Sequence, residues 1–256
     1  SQRLAAPLQL LHVLDKTEFP ARSDLSGSIG LGSRESLLQE LAELDAKRGR
    51  LALEQGRLML EEAAARAREA GVVDPLTLQR HGSLLETLTE QESAIRLLVL
   101  GKHDENLSEH VGSRLESVVR TMHRPILVCP PDVAMPERIL LAYDGSATTR
   151  KGVEMLADSP LFRGLTCHLL MVGQESRAHR EQLAWAEQRL AEAGFATVSA
   201  LQTGEVEATL CGYRREHDIG LIVMGAYGHS VIRRLLVGST TTSVIRNAQV
   251  PVLLLR

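Results

Sequence analysis

The sequence predicts an α/β chain of two tandem doubly wound domains, each a parallel sheet flanked by helices. Three observations carry this. Apolar runs alternate with helical patterns along the second half, as in a parallel sheet with helices on both faces. Those runs are almost continuously apolar, as strands buried on both faces should be. The chain also repeats itself. VGSRLESVVRTMHRPILVCP (Val111 to Pro130) and VGSTTTSVIRNAQVPVLLLR (Val237 to Arg256) coincide without a gap at Val, Gly, Ser, a later Ser-Val, Arg, Pro and Leu. Upstream of each lies an apolar run ending in glycine, Ile95 to Gly101 and Ile219 to Gly225. Self-similarity at about half the chain length means a duplicated domain, not a short-period solenoid.

In the first half, Leu10-Leu11-His12-Val13 matches Leu169-Leu170-Met171-Val172 of the second. That match sets Ser1 level with Pro160. The counterparts of the second half's first strand and helix are therefore expected to be absent ahead of Ser1. Ser23 to Ser33 is rich in Gly and Ser and reads as a mobile loop. A long helix follows, Ser33 to Ala70, with Leu37, Leu38, Leu41, Leu44, Leu51, Leu58 and Leu60 near helical spacing. Burial within the chain is the expected use of that apolar surface. Gly112-Ser113 is expected to open a helix and Pro125–Cys129 to form a strand. Pro130 to Glu137 holds three prolines, which continue neither a helix nor a central strand, and reads as the linker. The expected domains are 1–131 and 136–256.

The second half reads in order as strand 138–142, helix 148–156, strand 167–172, helix 175–193 stopped by Gly194, strand 196–201, helix 205–216, strand 219–224, helix 239–247 and strand 250–255.

Composition narrows the function classes. Apolar residues make up 44% of the 256, enough for ordinary cores, but aromatics only 3%, too few for a base-stacking platform. The net charge is -3 with both signs mixed, so no basic stripe awaits a nucleic acid. No apolar run approaches the ~20 residues of a membrane span, and the start lacks the apolar core of a signal peptide. Cys129, Cys167 and Cys211 are widely spaced and form no zinc or disulfide pattern, so a reducing cytoplasm is expected. Cys129 and Cys167 lie inside apolar runs and read as buried hydrophobes. The histidines show no metal-ligand spacing.

The chemistry concentrates in MGAYGHSVIRRLLVGSTT, Met224 to Thr241, where Gly225, Gly228, Gly238 and Ser239 fit G-x2-G-x9-G-[ST]. Gly225 and Gly228 follow a strand end, where doubly wound sheets bind ligands, and glycine lets backbone amides approach closely. Gly238-Ser239-Thr240 opens a helix whose free amides favour a phosphate, and Ser239, Thr240 and Thr241 add hydroxyls. Asp144 ends the first strand of this half, placed for a ribose hydroxyl or a phosphate-bound metal. Blander roles also serve: Asp144 as a cap of the next helix, Gly228 and Gly238 as turn and cap, Arg233, Arg234 and His229 as surface residues.

The strand ending in Asp-Gly-Ser, the LLMV strand, LIVMGAYGHS and the VGSTT…VPVLLL terminus together resemble the universal stress protein family, across nearly all of the second half and most of the first. The resemblance implies five-stranded parallel sheets of order 3-2-1-4-5 and an adenine nucleotide, ATP with or without Mg, in the cleft. By position it implies base contacts at Ala142, Asp144 and Val172, and phosphate contacts at Gly225, Gly228, Gly238, Ser239 and Thr240, with Met224 beside them. It also implies association through last strands, which a tandem chain can satisfy internally by pairing Pro125–Cys129 with Pro251–Leu255. A homodimer is expected besides.

The first half departs from the pattern. Asp104 stands where the second glycine belongs, and the insert before Gly112 is two residues shorter. A carboxylate there repels a phosphate, so this half reads as a degenerate partner. Three functional readings follow: an ATP-binding stress-response or signalling protein acting through conformation or partner binding, a slow ATPase or nucleotidyl transferase, and a nucleotide-free interaction module. The absence of a P-loop, and a single lysine (Lys151) in the second half, argue against turnover. No catalytic residue is assigned.

Overall fold

The structure, a computed structural model, describes residues 2–14, 31–102, 109–226 and 239–256. They form two compact units, Ser1–Glu90 and Gln91–Arg256. This division does not follow the sequence repeat.

In the first unit β1 (Gln9–Leu14) pairs in parallel with β2 (Leu76–His81), Gln9 opposite Leu76 and Leu14 opposite His81. Between them in sequence runs α1 (Leu31–Glu69). Its Leu60 and Ala64 are buried. A Cβ on Gly56, one turn earlier on the same face, would lie 2.5 Å from Gln79 Nε2 and from His12 Nδ1. Only a residue without a side chain lets the helix approach the strands so closely there. The opposite face is not buried: Leu44, Leu51 and Leu58 are 53%, 61% and 52% exposed. This corrects the expected intramolecular burial for Leu44, Leu51 and Leu58, while Leu60 is buried as expected. One face of a helix suffices to cover a two-stranded sheet, and among the described residues nothing buries the other. The Gly/Ser-rich stretch lies outside the described residues except at its end, where Leu31 to Ser33 already belong to α1.

A short helix, α2 (Leu84–Gln91), spans the boundary between the units. The second unit then adds β3 (Leu98–Gly101), α3 (Glu109–Thr121), β4 (Ile126–Cys129), β5 (Arg138–Ala142), α4 (Ala147–Asp158), β6 (Thr166–Val172), α5 (Arg177–Glu192), β7 (Ala196–Gln202), α6 (Val206–Glu216), β8 (Leu221–Gly225), α7 (Ser239–Asn247) and β9 (Val252–Leu255). Its sheet has seven strands in the order β3-β4-β9-β8-β5-β6-β7. Every neighbouring pair is parallel except β4 and β9, which run antiparallel with Ile126 opposite Leu254 and Val128 opposite Val252.

The first half therefore forms no five-stranded sheet of its own among the described residues. Its strands divide, β1 and β2 making one small sheet while β3 and β4 extend the sheet of the second half. No described strand bridges β1 and β3. The expected pairing of the two terminal runs is present as the β4–β9 seam. The helix after β3 starts at Glu109, so Gly112-Ser113 lies inside it rather than opening it.

The core of the second unit is aliphatic, as the scarcity of aromatics requires. Ile139, Leu141, Val153, Leu156, Leu169, Val223, Leu253 and Leu255 share one buried cluster between the sheet and α4 and α5. Cys167 belongs to it, and burial pushes its thiol up to about 12, so it behaves as a small hydrophobe. Cys129 is only half-buried.

Candidate functional site

Strand register brings most of the predicted residues to one edge. Ala142, the last residue of β5, stands opposite Met224 of β8 and Leu170 of β6. Gly225 follows Met224, and Val172 closes β6 two residues beyond Leu170. Asp144 lies two residues past Ala142. Helices α4 and α7 each leave the carboxyl end of one strand and run back to the start of another. Their amino ends therefore lie at this same edge, with the positive ends of their dipoles. Ser239 is the first residue of α7 and Thr240 the second. Gly228 and Gly238 lie outside the described residues, as do Asp104, His229, Arg233 and Arg234.

The start of α4 explains the Asp-Gly-Ser sequence locally. Ser146 is the N-cap, its hydroxyl accepting from the amide of Thr149 at 3.3 Å. Asp144 Oδ1 accepts from the amide of Ser146 at 3.0 Å and from the hydroxyl of Thr149 at 2.7 Å. Gly145 between them adopts φ +72°, a conformation that favours glycine. Asp144 is thus a structural residue of the turn and is also exposed to solvent. The cap that the sequence assigned to Asp144 is Ser146, and Asp144 supports it from the turn.

Gly225 differs. Its backbone is not in the left-handed region, and a Cβ there would meet Thr148 Cγ2 at 3.4 Å and Thr149 Cγ2 at 3.6 Å, ordinary contact distances. Among the described residues nothing demands a glycine at 225, which leaves the end of β8 open against the first turn of α4. Met224 is 7% exposed, so it offers this edge its backbone rather than its side chain. Thr241 is buried too, so its hydroxyl is not presented to solvent.

Two residues were not singled out from sequence. Arg150, in the first turn of α4, donates from Nε to the carbonyl of Gly145 at 3.3 Å and lies 4.9 Å over the ring of Trp185. It places a cation at the carbonyl of Gly145, the residue after Asp144. Gln182, in α5, reaches Gly145, and its buried Oε1 has no hydrogen-bond partner. Nothing local in the sequence marks either residue, because α5 reaches this edge only through the packing of α4 and α5. Helix amino ends and Arg150 can meet phosphates, and the exposed carboxylate of Asp144 can accept from a donor on a base or sugar.

A different cavity, of about 330 Å³, opens at the amino ends of the strands, lined by linker residues Asp132 to Glu137 with Arg138, Asp218 and Gly220. It contains none of the predicted site residues and lies at the wrong edge for a doubly wound sheet. Among the described residues no group of His, Cys, Asp and Glu is arranged for a metal ion, and no helix is long and apolar enough to cross a membrane.

Comparison with known proteins agrees with this architecture. The sequence model described as the Universal stress protein family matches residues 1–130 and 170–256. The chain is 34% identical over 263 residues to Universal stress protein Slr1230 of Synechocystis sp. (strain ATCC 27184 / PCC 6803 / Kazusa), covering 100% of this chain and 92% of that protein. A universal stress protein from Archaeoglobus fulgidus DSM 4304 shares the fold with a TM-score of 0.69 at 19% identity, covering 98% of this chain and 85% of that one. A functionally unknown protein from Pseudomonas aeruginosa PAO1 shares it with a TM-score of 0.56 at 18% identity, covering 100% and 94%. A repeated sequence, a parallel sheet with helices on both faces, and a full-length relative at this identity lead to one statement: the chain belongs to the universal stress protein family.

Proposed function

We propose that the chain binds one ATP, with or without Mg, at the carboxyl edge of β5, β6 and β8, and acts in stress response or signalling through nucleotide-dependent conformation or partner binding. One observation carries the reading. Among the described residues nothing requires a glycine at 225, which ends β8 against the amino-terminal turn of α4. Ala142, Asp144, Val172, Met224, Gly225, Gly228, Gly238, Ser239 and Thr240 form the proposed binding set. Residues 136–256 make the nucleotide-binding domain and 1–131 its degenerate partner. A cytoplasmic homodimer completes the proposal.

Calorimetry with Mg-ATP tests it. One site per chain is expected, and none in Gly238→Val, because a branched side chain would push phosphates away from the amides of α7. Asp104→Gly adds no second site, since the shorter insert still cannot wrap a triphosphate. Two equal sites, or a stoichiometry unchanged by Gly238→Val, would overturn the assignment.

A further inference from the structure

Lys102 stands in the first half of the chain where Ala226 stands in the second. Each follows the glycine that ends its strand, Gly101 of β3 and Gly225 of β8. The amide of Lys102 donates to the carbonyl of Cys129 at 2.6 Å, and that of Ala226 to the carbonyl of Leu255 at 3.0 Å. Cys129 and Leu255 are themselves matched by the repeat. The two positions are therefore equivalent, but the side chains are not. Ala226 is a methyl, buried at the edge where the nucleotide is proposed to bind. The lysine reaches elsewhere: its ammonium donates to the carbonyl of Arg246 and, at 3.1 Å, to that of Ala248.

Those carbonyls belong to the tail of α7, and the antiparallel seam brings them within reach. Because β4 runs against β9, the carboxyl ends of β3 and β4 lie beside the amino end of β9, which α7 feeds. All of these elements belong to one compact unit. The last carbonyls of a helix have no partner within it, and a cation there also meets the negative end of the dipole. A second hold comes from α6, where Glu207 accepts from Nδ2 of Asn247. Bonds from Ser243 and then Asn247 keep the Glu207 carboxyl below its usual range. Lys102 and Glu207 thus fasten the carboxyl half of the helix whose amino end carries Ser239 and Thr240.

We propose that Lys102 is a positioning residue, by which the first half holds α7 in place and so sets the affinity of the second half for phosphate. The proposal rests on the nucleotide reading above and gives the degenerate half a part in binding. Its physics is preorganisation rather than attraction. The nine residues of α7 put the ammonium on the order of 13 Å from the amino end of the helix. That exceeds the ~8 Å over which charges act at physiological salt. A helix already fixed need not be ordered when the ligand arrives.

Hydrogen exchange and calorimetry on the full chain test it together. Lys102→Met keeps most of the stem and loses the donors. It should speed amide exchange in 239–248 while leaving 166–172 protected, and weaken Mg-ATP about fivefold, equally at low and high salt. Lys102→Arg, which keeps charge and donors, should return both readouts towards wild type. Unchanged exchange in α7 would overturn the hold. Faster exchange with unchanged affinity would overturn its link to binding and leave the nucleotide site in place. An affinity loss that disappears at high salt would mean direct attraction to the phosphates and overturn positioning. A wild type that binds no Mg-ATP would overturn the nucleotide reading and the tuning with it, while exchange still decides whether Lys102 holds α7.

Discussion

At the scale of single residues, the proposed binding can be tested apart from structure at Gly225 and not at Asp144. Gly225→Ala adds a methyl at ordinary contact distance from Thr148 and Thr149, so stability should change by less than ~1 kcal/mol. If the space over β8 holds the nucleotide, affinity for Mg-ATP should fall at least tenfold. Equal affinity would show that this space is not part of the site. Asp144→Ala removes the acceptor for Ser146 and Thr149 and should cost about 1 kcal/mol, as loss of a helix-capping side chain does. Thr149→Val breaks the shorter of those bonds while keeping the carboxylate. Stronger loss of nucleotide in Asp144→Ala than in Thr149→Val is expected, and equal loss would leave Asp144 a turn residue alone. Away from the site, buried His168 bonds Tyr213 through Nδ1 at 3.0 Å and lies near His217. Burial, then the charges of His217 and Arg138, hold its pKa below 6.5. The unfolded imidazole takes up a proton near pH 6.5 and the folded one resists. The unfolded state thus binds more protons below that pH, and this contribution to stability is lost on acidification. The melting temperature should fall between about pH 7.5 and 5.5, and His168→Phe should flatten that slope.

At the scale of elements, α4 shows what sequence pattern reads and what it misses. The expected helix 148–156 is observed as Ala147–Asp158, and strand 138–142 and helix 239–247 appear with the expected bounds. Apolar period and capping residues are local signals, and these elements obey them. Gly152 in the middle of α4 has no local reason, since glycine costs a helix up to about 1 kcal/mol relative to alanine. The reason is long-range: a Cβ there would sit 2.2 Å from Leu255 Cδ1, and Leu255 is buried in β9. Gly152→Ala should therefore destabilise by about 1–3 kcal/mol through overpacking, despite the better helix propensity. Denaturant unfolding measures it, and a stabilised variant would mean that Leu255 can move aside. The same division explains the site. Gly228 and Gly238 lie outside the described residues, but the strand-end positions of Gly225 and Asp144 were legible. Arg150 and Gln182 were not, because they depend on how α4 and α5 pack. The division of the first half was hidden for the same reason: which strands pair is settled by partners far away in sequence.

At the scale of the whole molecule, the sequence repeat and the compact units disagree, and the β4–β9 seam is where they do. Residues from both halves of the chain share the seven-stranded sheet, with Val128 opposite Val252 and both almost fully buried. Parallel pairing continues on either side, and among the described strands the antiparallel seam is where β4 hydrogen-bonds to a strand of the second half. If the tie is local, its loss should free β3 and β4 without melting β5, β6 and β7, whose own core includes Ile139, Leu141, Leu169 and Met171. Val128→Asp sets a carboxylate into that buried seam without an added partner, a change costing several kcal/mol. Hydrogen exchange on this variant should show lost protection in 98–101 and 126–129, partial loss in 252–255, and retained protection in 138–142 and 166–172. Uniform loss across all seven strands would mean that the sheet unfolds as one cooperative body, with the seam part of its nucleus rather than its margin. The result also bears on the nucleotide. Gly225 pairs with Leu255 of β9, so a seam that yields locally should weaken Mg-ATP binding through β9, whereas Asp144 and α4 stay in place.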